Sequence, residues 1–277
     1  MFAKALFATD LSPASDAVID CIEGLRSLGT RQILLLHAIF VHVHYPETYD
    51  TEEAIRKASK PKLEEQSRRL REKGFRVTAE TAVGRPAKVI AQYAAERGMS
   101  LIVAGSHGAS MQPDVLLGSV TSELLHKATS PLLIVRHKIV EEPSGQVRCE
   151  VACSDILADV LYPTDFSDTA ERAFSYVEKL AAGGATRIRL LHVQDQAKLS
   201  PHLGDRLRSL GAVHVYTEVA YGSPTSEIVR KASDGSTSLI VMGSQGRSFL
   251  AEVFLGEVAH NVAHLAPVPV LLIPHPR

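Results

Sequence analysis

The chain has few cysteines, no long apolar run and almost no net charge, and each scarcity excludes a class of protein. Three cysteines among 277 residues are too few for a disulfide framework, and a start without an export signal favours a reducing cytoplasm. No apolar run approaches the ~18 residues that cross a bilayer. The 30 lysines and arginines nearly balance the 31 acidic residues, which argues against nucleic-acid or membrane-surface partners. These values leave a globular protein able to bury a core.

The sequence contains one pattern twice. KALFATDLS at 4–12 returns as DVLYPTDFS at 159–167, which is 155 positions later. SLIVAGSHG at 100–108 returns as SLIVMGSQG at 238–246, which is 138 positions later. Because separate blocks return in the same order, we infer a duplicated domain whose first copy carries seventeen extra residues between its second and third strands.

Each copy alternates short, continuously apolar strands with helices. That alternation is typical of a parallel sheet covered on both faces. We therefore expect an α/β protein of two tandem five-stranded parallel sandwich domains, Rossmann-like in type. The expected boundaries are domain 1 at 1–137, a linker at 138–157 and domain 2 at 158–277.

Three features of the first copy are expected to converge at the carboxyl ends of its strands, where open parallel sheets bind ligands. Asp10 follows the first strand, Gly105-Ser106-His107-Gly108 follows the fourth, and Gly118 and Ser119 open the next helix. Glycines allow positive φ angles and close backbone approach, and a helix start attracts phosphate. Ser119 and Thr121 add hydroxyl groups, and Asp10 can accept from a ribose hydroxyl. The pattern favours a bound nucleotide; the alternative is that the glycines form only turns and Ser119 is an ordinary N-cap.

The spacing Gly105-x2-Gly108-x9-Gly118-Ser119, with Asp10 after the first strand, resembles the ATP-binding motif of universal stress proteins. ATDLS, LLHA, VGRP, AGSHG, LGSVT and PLLIV follow that family's order, and PTDFS, LLHV, YGSP, MGSQG and PVLLI do so again. Neither a Walker sequence nor GxGxxG is present. The chain thus resembles a tandem universal stress protein, which implies the adenine-nucleotide alpha-hydrolase-like fold and either an intramolecular pseudo-dimer or a homodimer.

The resemblance implies an adenine nucleotide in domain 1: ATP, or ADP or AMP, with Mg²⁺ or Mn²⁺ held mainly by the phosphates. Asp10 would hold the ribose or adenine region. The residues implied as contacts are Thr9, Asp10, Ala38, Val83, Gly105, His107, Gly108, Gly118, Ser119, Val120 and Thr121. A second site in domain 2 would consist of Asp165, Val193, Gly243, Gly246 and Gly256.

The second copy departs from the motif at the helix start. Glu257 stands where the first copy has Ser119, and Ala259 stands where it has Thr121. Two unit charges ~4 Å apart repel by about 4 kcal/mol at an effective dielectric near 20. We therefore expect ATP or ADP in domain 1, and AMP or no ligand in domain 2. The alternative is that Glu257 points into solvent and both domains bind.

The expected function is a nucleotide-dependent, cytoplasmic regulator of the stress response. The motif assigns no catalytic residue and no protein metal ligand, so binding rather than turnover is expected. The alternatives are a slow ATPase or adenylating enzyme, with Ser119 or Thr121 as phosphate acceptors, and an interaction module whose site is vestigial. Weaker metal or redox candidates are the pairs His42 and His44, His260 and His264, and Cys149 and Cys153.

Overall fold

The computed structural model shows an α/β protein with two compact units. The N-terminal unit comprises Phe2–Ser130 and His137–Val151, and the C-terminal unit comprises Met1, Pro131–Arg136 and Ala152–Arg277. None of the described helices is long and apolar enough to cross a membrane. The structure describes residues 1–40, 48–108, 117–141, 147–151, 155–193, 205, 208–209, 214–246 and 255–275.

The N-terminal unit is built on a parallel sheet with strand order β4-β1-β2-β3. The strands are β1 (Lys4–Thr9), β2 (Gln32–Ile39), β3 (Arg76–Val83) and β4 (Leu101–Gly105). The helices are α1 (Pro13–Cys21), α2 (Thr48–Glu72), α3 (Pro86–Glu96) and α4 (Ser119–Lys127). This architecture confirms the expected α/β fold class.

Helix α1 has a capped start and ends at Cys21. Ser12 is its N-cap and accepts a hydrogen bond from the Ser15 amide, and Pro13 occupies the first helical position. The chain then continues as a 3₁₀ turn over Ile22–Arg26. Pro61 lies inside α2, which is continuous through it.

The stretch expected to be a linker contains a hairpin. Strands β6 (His137–Glu141) and β7 (Val147–Val151) pair antiparallel, and β7 contacts α1 within the N-terminal unit. Cys21, at the end of α1, is disulfide-bonded. The chain offers Cys149 and Cys153 as partners; the side chain of Cys149 and all of Cys153 lie outside the described residues.

The C-terminal unit has strand order β10-β9-β8-β11-β12-β5. Its strands are β5 (Leu132–Val135), β8 (Asp159–Pro163), β9 (Arg187–Val193), β10 (His214–Ala220), β11 (Leu239–Gly243) and β12 (Val270–Ile273). Its helices are α5 (Asp168–Ala182), α6 (Pro224–Ala232) and α7 (Glu257–Leu265). All pairs are parallel except β12 with β5, which is antiparallel.

Strand β5 comes from the first repeat yet completes the sheet of the C-terminal unit. Leu133 faces Leu271 across the antiparallel pair. Just after β5, the Arg136 guanidinium donates to the carbonyl oxygens of Ala263 (3.3 Å) and His264 (3.1 Å), in the last turn of α7. Burial lowers the pKa of Arg136 to about 10, so at neutral pH it places a positive charge at the negative end of the helix dipole.

A buried carboxylate organises the amino ends of β8 and β9. Asp159 accepts hydrogen bonds from Arg187 (2.9 Å) and from Arg189 (2.8 Å). Arg189 also donates to Asp234 at 2.6 Å. Arg189 is thus held between two carboxylates, one buried and one partly exposed.

Replacing Asp234 with asparagine should destabilise the C-terminal unit in a pH-dependent way. Burial alone would raise the pKa of Asp234, but hydrogen bonds from the Ser236 amide and hydroxyl and from Arg189 outweigh it and lower the pKa to about 2. The stabilisation is therefore present above the ordinary pKa of 3.8 and is lost as the pH falls through about 2. We expect urea unfolding at pH 7 to show a loss of about 1 kcal/mol, after allowance for solvent screening.

The matched control for that prediction is Asp205→Asn. Asp205 pairs with Arg208 while its side chain is 71% exposed, so its loss should leave stability unchanged. The two unfolding curves of Asp234→Asn and the parent should converge near pH 2. A difference that persists undiminished there would show that the carboxylate charge is not the cause.

Candidate functional site

A cavity of about 210 Å³ opens at the carboxyl ends of β1 and β4 in the N-terminal unit. Ten of the eleven predicted contacts line this cavity. The exception is Val83, which is 44% exposed at the end of β3 and is not among the described lining residues. The cavity also has lining residues that are not among the predicted contacts, namely Ala8, Ser15, Pro86, Ile90 and Ala104. The predicted residues that line it are Thr9, Asp10, Ala38, Gly105, His107, Gly108, Gly118, Ser119, Val120 and Thr121.

A strained turn fixes the carboxylate of Asp10 at the cavity. Leu11 has a φ of 63°, a left-handed conformation that costs a non-glycine residue about 1–2 kcal/mol. The Asp10 Oδ1 atom accepts from the Ser12 amide (3.1 Å), the Ser12 hydroxyl (2.6 Å) and the Ser15 hydroxyl (2.6 Å). Asp10 is therefore a positioned acceptor.

Polar contacts behind the turn hold it against the sheet and α2. The Thr9 hydroxyl donates to Gln66 Oε1 at 2.8 Å and accepts from the Leu11 amide at 3.0 Å. His37 Nδ1 donates to the Thr9 carbonyl at 3.0 Å. Gln66 is fully buried, although it lies in α2 among many charged residues. The position of Asp10 thus depends on a residue that sequence reasoning missed.

Two glycines at the end of β4 and in the loop after it are required because side chains lie too close to them for a Cβ atom. A Cβ on Gly105 would lie 2.5 Å from His137 Cε1, and a Cβ on Gly108 would lie 2.5 Å from Asp10 Oδ2. Neither glycine has a φ in the left-handed region, so the expected conformational reason does not apply. The loop backbone instead packs directly on Asp10 and on an imidazole.

That imidazole, His137, ties the glycine loop to α1. Its Nε2 donates to the carbonyl of Ala14 at 2.9 Å, while its Nδ1 accepts from the His107 amide at 3.4 Å. Its own amide donates to the Ser106 hydroxyl at 3.0 Å. These partners match a neutral imidazole protonated on Nε2. The first residue of the hairpin therefore supports the loop that lines the cavity.

The start of α4 presents backbone donors to the same cavity. Gly118 is the N-cap and no side chain caps the helix; its amide donates to the Ser106 carbonyl at 2.7 Å. The next three residues, 119–121, line the cavity, and first-turn amides have no acceptor within a helix. The Thr121 hydroxyl donates to Gly105 O at 2.7 Å, so an anion would meet the first-turn amides and the Ser119 hydroxyl as donors.

The C-terminal unit has the equivalent cavity, with a volume of about 400 Å³. Phe166 repeats the strained turn with a φ of 61°, and Asp165 Oδ1 accepts from the Ser167 amide at 3.0 Å. Glu257, the first residue of α7, also lines this cavity. The predicted second-site residues all line it: Asp165, Val193, Gly243, Gly246 and Gly256.

No metal centre formed by side chains is present in the described part of the chain. There, no group of three or more histidine, cysteine, aspartate or glutamate side chains could hold an ion. The rings of His260 and His264 are 4.4 Å apart, a pair without further ligands of these types. His42 and His44 lie outside the described residues.

Comparison with known proteins identifies the class that this fold and site define. The model of the universal stress protein family matches residues 1–136 and 196–274. The chain therefore belongs to the universal stress protein family, and the two matched regions agree with the duplication.

Individual relatives support the same assignment. Universal stress protein MJ0577 of Methanocaldococcus jannaschii is 27% identical over 157 residues, which cover 50% of this chain and 97% of the relative. Universal stress protein YxiE of Bacillus subtilis is 31% identical over 150 residues, covering 49% and 100%. A universal stress protein structure from Archaeoglobus fulgidus has a TM-score of 0.79 at 24% identity and covers 98% of both chains, so it shares the fold over nearly the whole length.

Proposed function

We propose that the N-terminal unit binds ATP or ADP and that binding regulates this chain's interactions in a stress response. The observation that carries the proposal is one cavity with a positioned carboxylate on one side and an uncapped helix start on the other. Asp10 suits ribose hydroxyls, and the first-turn amides of α4 suit phosphate oxygens. Ala38 and Ile90 give the cavity an apolar wall suited to a base.

Regulation by binding is favoured over turnover by the chemistry of the lining. Among the described lining residues, Asp10 is the one carboxylate and no lysine or arginine is present. Three donors already engage Asp10 Oδ1, which suits an orienting role more than proton transfer. Mg²⁺ or Mn²⁺ accompanying the nucleotide would be held mainly by phosphate oxygens.

The test is a calorimetric titration of the full chain with Mg-ATP, after removal of any co-purified nucleotide. The parent should bind one ATP per chain. Ser119→Glu introduces at α4 the residue that α7 has, and it should weaken ATP binding at least about a hundredfold through repulsion near the phosphates. In Ser119→Gln the glutamine has nearly the size of glutamate but no charge. Its ATP affinity should stay within about fivefold of the parent's, which is the loss expected for one hydrogen bond.

Three outcomes would contradict the proposal. Equal ATP affinity of Ser119→Glu and the parent would show that the phosphates do not lie next to the start of α4. No binding by a folded parent would favour an interaction module. Multiple-turnover release of phosphate, or of AMP and pyrophosphate, that is lost in Ser119→Glu would show that the chain is an enzyme.

A further inference from the structure

The cavity of the C-terminal unit has nearly twice the volume of the first, about 400 Å³ against about 210 Å³. It keeps Asp165 where the first cavity has Asp10. Its wall is more apolar and bulkier, because Val193 replaces Ala38 and Met242 replaces Ala104. A volume of this size lies within the range of small-molecule sites.

The side of this cavity next to α7 has lost its hydroxyl groups. The first cavity has Ser119 and Thr121 there, and the second has Glu257 and Ala259 at the corresponding positions; Ser15, which holds Asp10 in the first cavity, corresponds to Ala170 in the second. The only charged group gained in these exchanges is the carboxylate of Glu257. The helix start that is suited to phosphate in one copy thus carries a carboxylate in the other.

Glu257 occupies a position that favours a negative side chain. It is the first residue of α7, and Gly256 provides no side-chain cap, so the helix dipole stabilises the carboxylate. Together with Asp165, the solvent-exposed Glu257 gives the cavity two carboxylates. Its described lining includes His192, whose Nδ1 donates to the Thr164 carbonyl at 2.7 Å, and no lysine or arginine. A phosphate next to Glu257 would be repelled, whereas a cation there would be attracted.

We propose that this cavity binds a nucleoside-sized ligand that has no phosphate and carries a cationic group next to Glu257. The inference rests on the proposed function for its choice of an adenosine frame, since the two cavities share the Asp turn and the glycine loop. It departs from that function in the charge of the ligand. One chain would then bind an anionic and a cationic adenosine derivative at separate sites.

The test uses three probes that differ in the charge at the ribose 5′ position: AMP, adenosine and 5′-amino-5′-deoxyadenosine. The full chain is labelled with ¹³C on its methionine methyl groups, and the Met242 methyl, assigned with Met242→Leu, reports binding in this cavity alone. The aminonucleoside should bind tightest and AMP weakest, with a ratio of at least about tenfold. Higher salt should reduce that ratio.

Glu257→Gln is the matched variant, because it removes the charge and keeps the size. It should reduce the ratio between aminonucleoside and AMP to less than about threefold, whereas Ser119→Gln, at the equivalent position of the other unit, should leave it unchanged. Arg247→Gln tests the one arginine in the neighbouring loop sequence, which lies outside the described residues, and should not reverse the order of the probes.

The proposal is overturned if AMP binds as tightly as the aminonucleoside, if Glu257→Gln leaves the ratio intact, or if none of the three probes shifts the Met242 methyl. Its failure is separate from that of the proposed function, because Mg-ATP binding by the N-terminal unit is measured independently through Ser119→Glu.

Discussion

A fragment that starts at Ala152 should fail to fold as a soluble monomer, whereas one that starts at Pro131 should fold. The difference is β5, whose four side chains are each 0–6% exposed. Burying an apolar side chain of this kind is worth about 1.5–3 kcal/mol, so their combined loss approaches the 5–15 kcal/mol that stabilises a typical domain.

The measurement is size-exclusion chromatography with light scattering, followed by thermal unfolding, on both fragments. The fragment from Pro131 should elute as a defined species and unfold cooperatively, and the fragment from Ala152 should aggregate. Arg136→Met in the longer fragment should lower its melting temperature, because the last carbonyls of α7 lose their donor. Equal solubility and cooperativity of the two fragments would show that the expected boundary at residue 137 describes the folding unit better than β5 pairing does.

The sequence alone predicts the strands and helices well and the partner of β5 poorly. Repeated apolar blocks and the Ser12-Pro13 helix start depend on neighbouring residues, so they are visible in the chain itself. The pairing of Leu133 with Leu271 joins residues far apart in sequence. An apolar strand pattern indicates burial but does not say which strand lies beside it, and for this reason the expected five-strand set of the first repeat does not match the first compact unit.

The candidate site shows the same division between local and distant information. Ten of the eleven contacts that the resemblance implies in the first repeat line one cavity, because strand ends and the following loops are local features. Gln66 and His137 were missed because each reaches the site from an element distant in sequence. The sequence gives no direct sign of their role, because a glutamine in a charged helix and a histidine after a strand are both commonly found on protein surfaces.

Asparagine at position 159 should destabilise the C-terminal unit by about 3 kcal/mol. The Asp159 side chain is 4% exposed and holds both Arg187 and Arg189, and removing one partner of a buried ion pair leaves the other charge uncompensated. We expect a value at the lower end of the range for such pairs, because Arg189 retains Asp234 and the side chain of Arg187 is 44% exposed and can turn towards water.

Lys4→Ala is the matched control, because Lys4 is the first residue of β1 as Asp159 is of β8, and it is exposed. It should change stability by less than about 0.5 kcal/mol. Urea unfolding gives the free energies, and amide exchange locates the loss, which should fall on β8 and β9 while β1 and β2 keep their protection. A loss below 1 kcal/mol for Asp159→Asn, or one spread equally over both units, would mean that the arginines are compensated by solvent and that the buried carboxylate contributes little net stability.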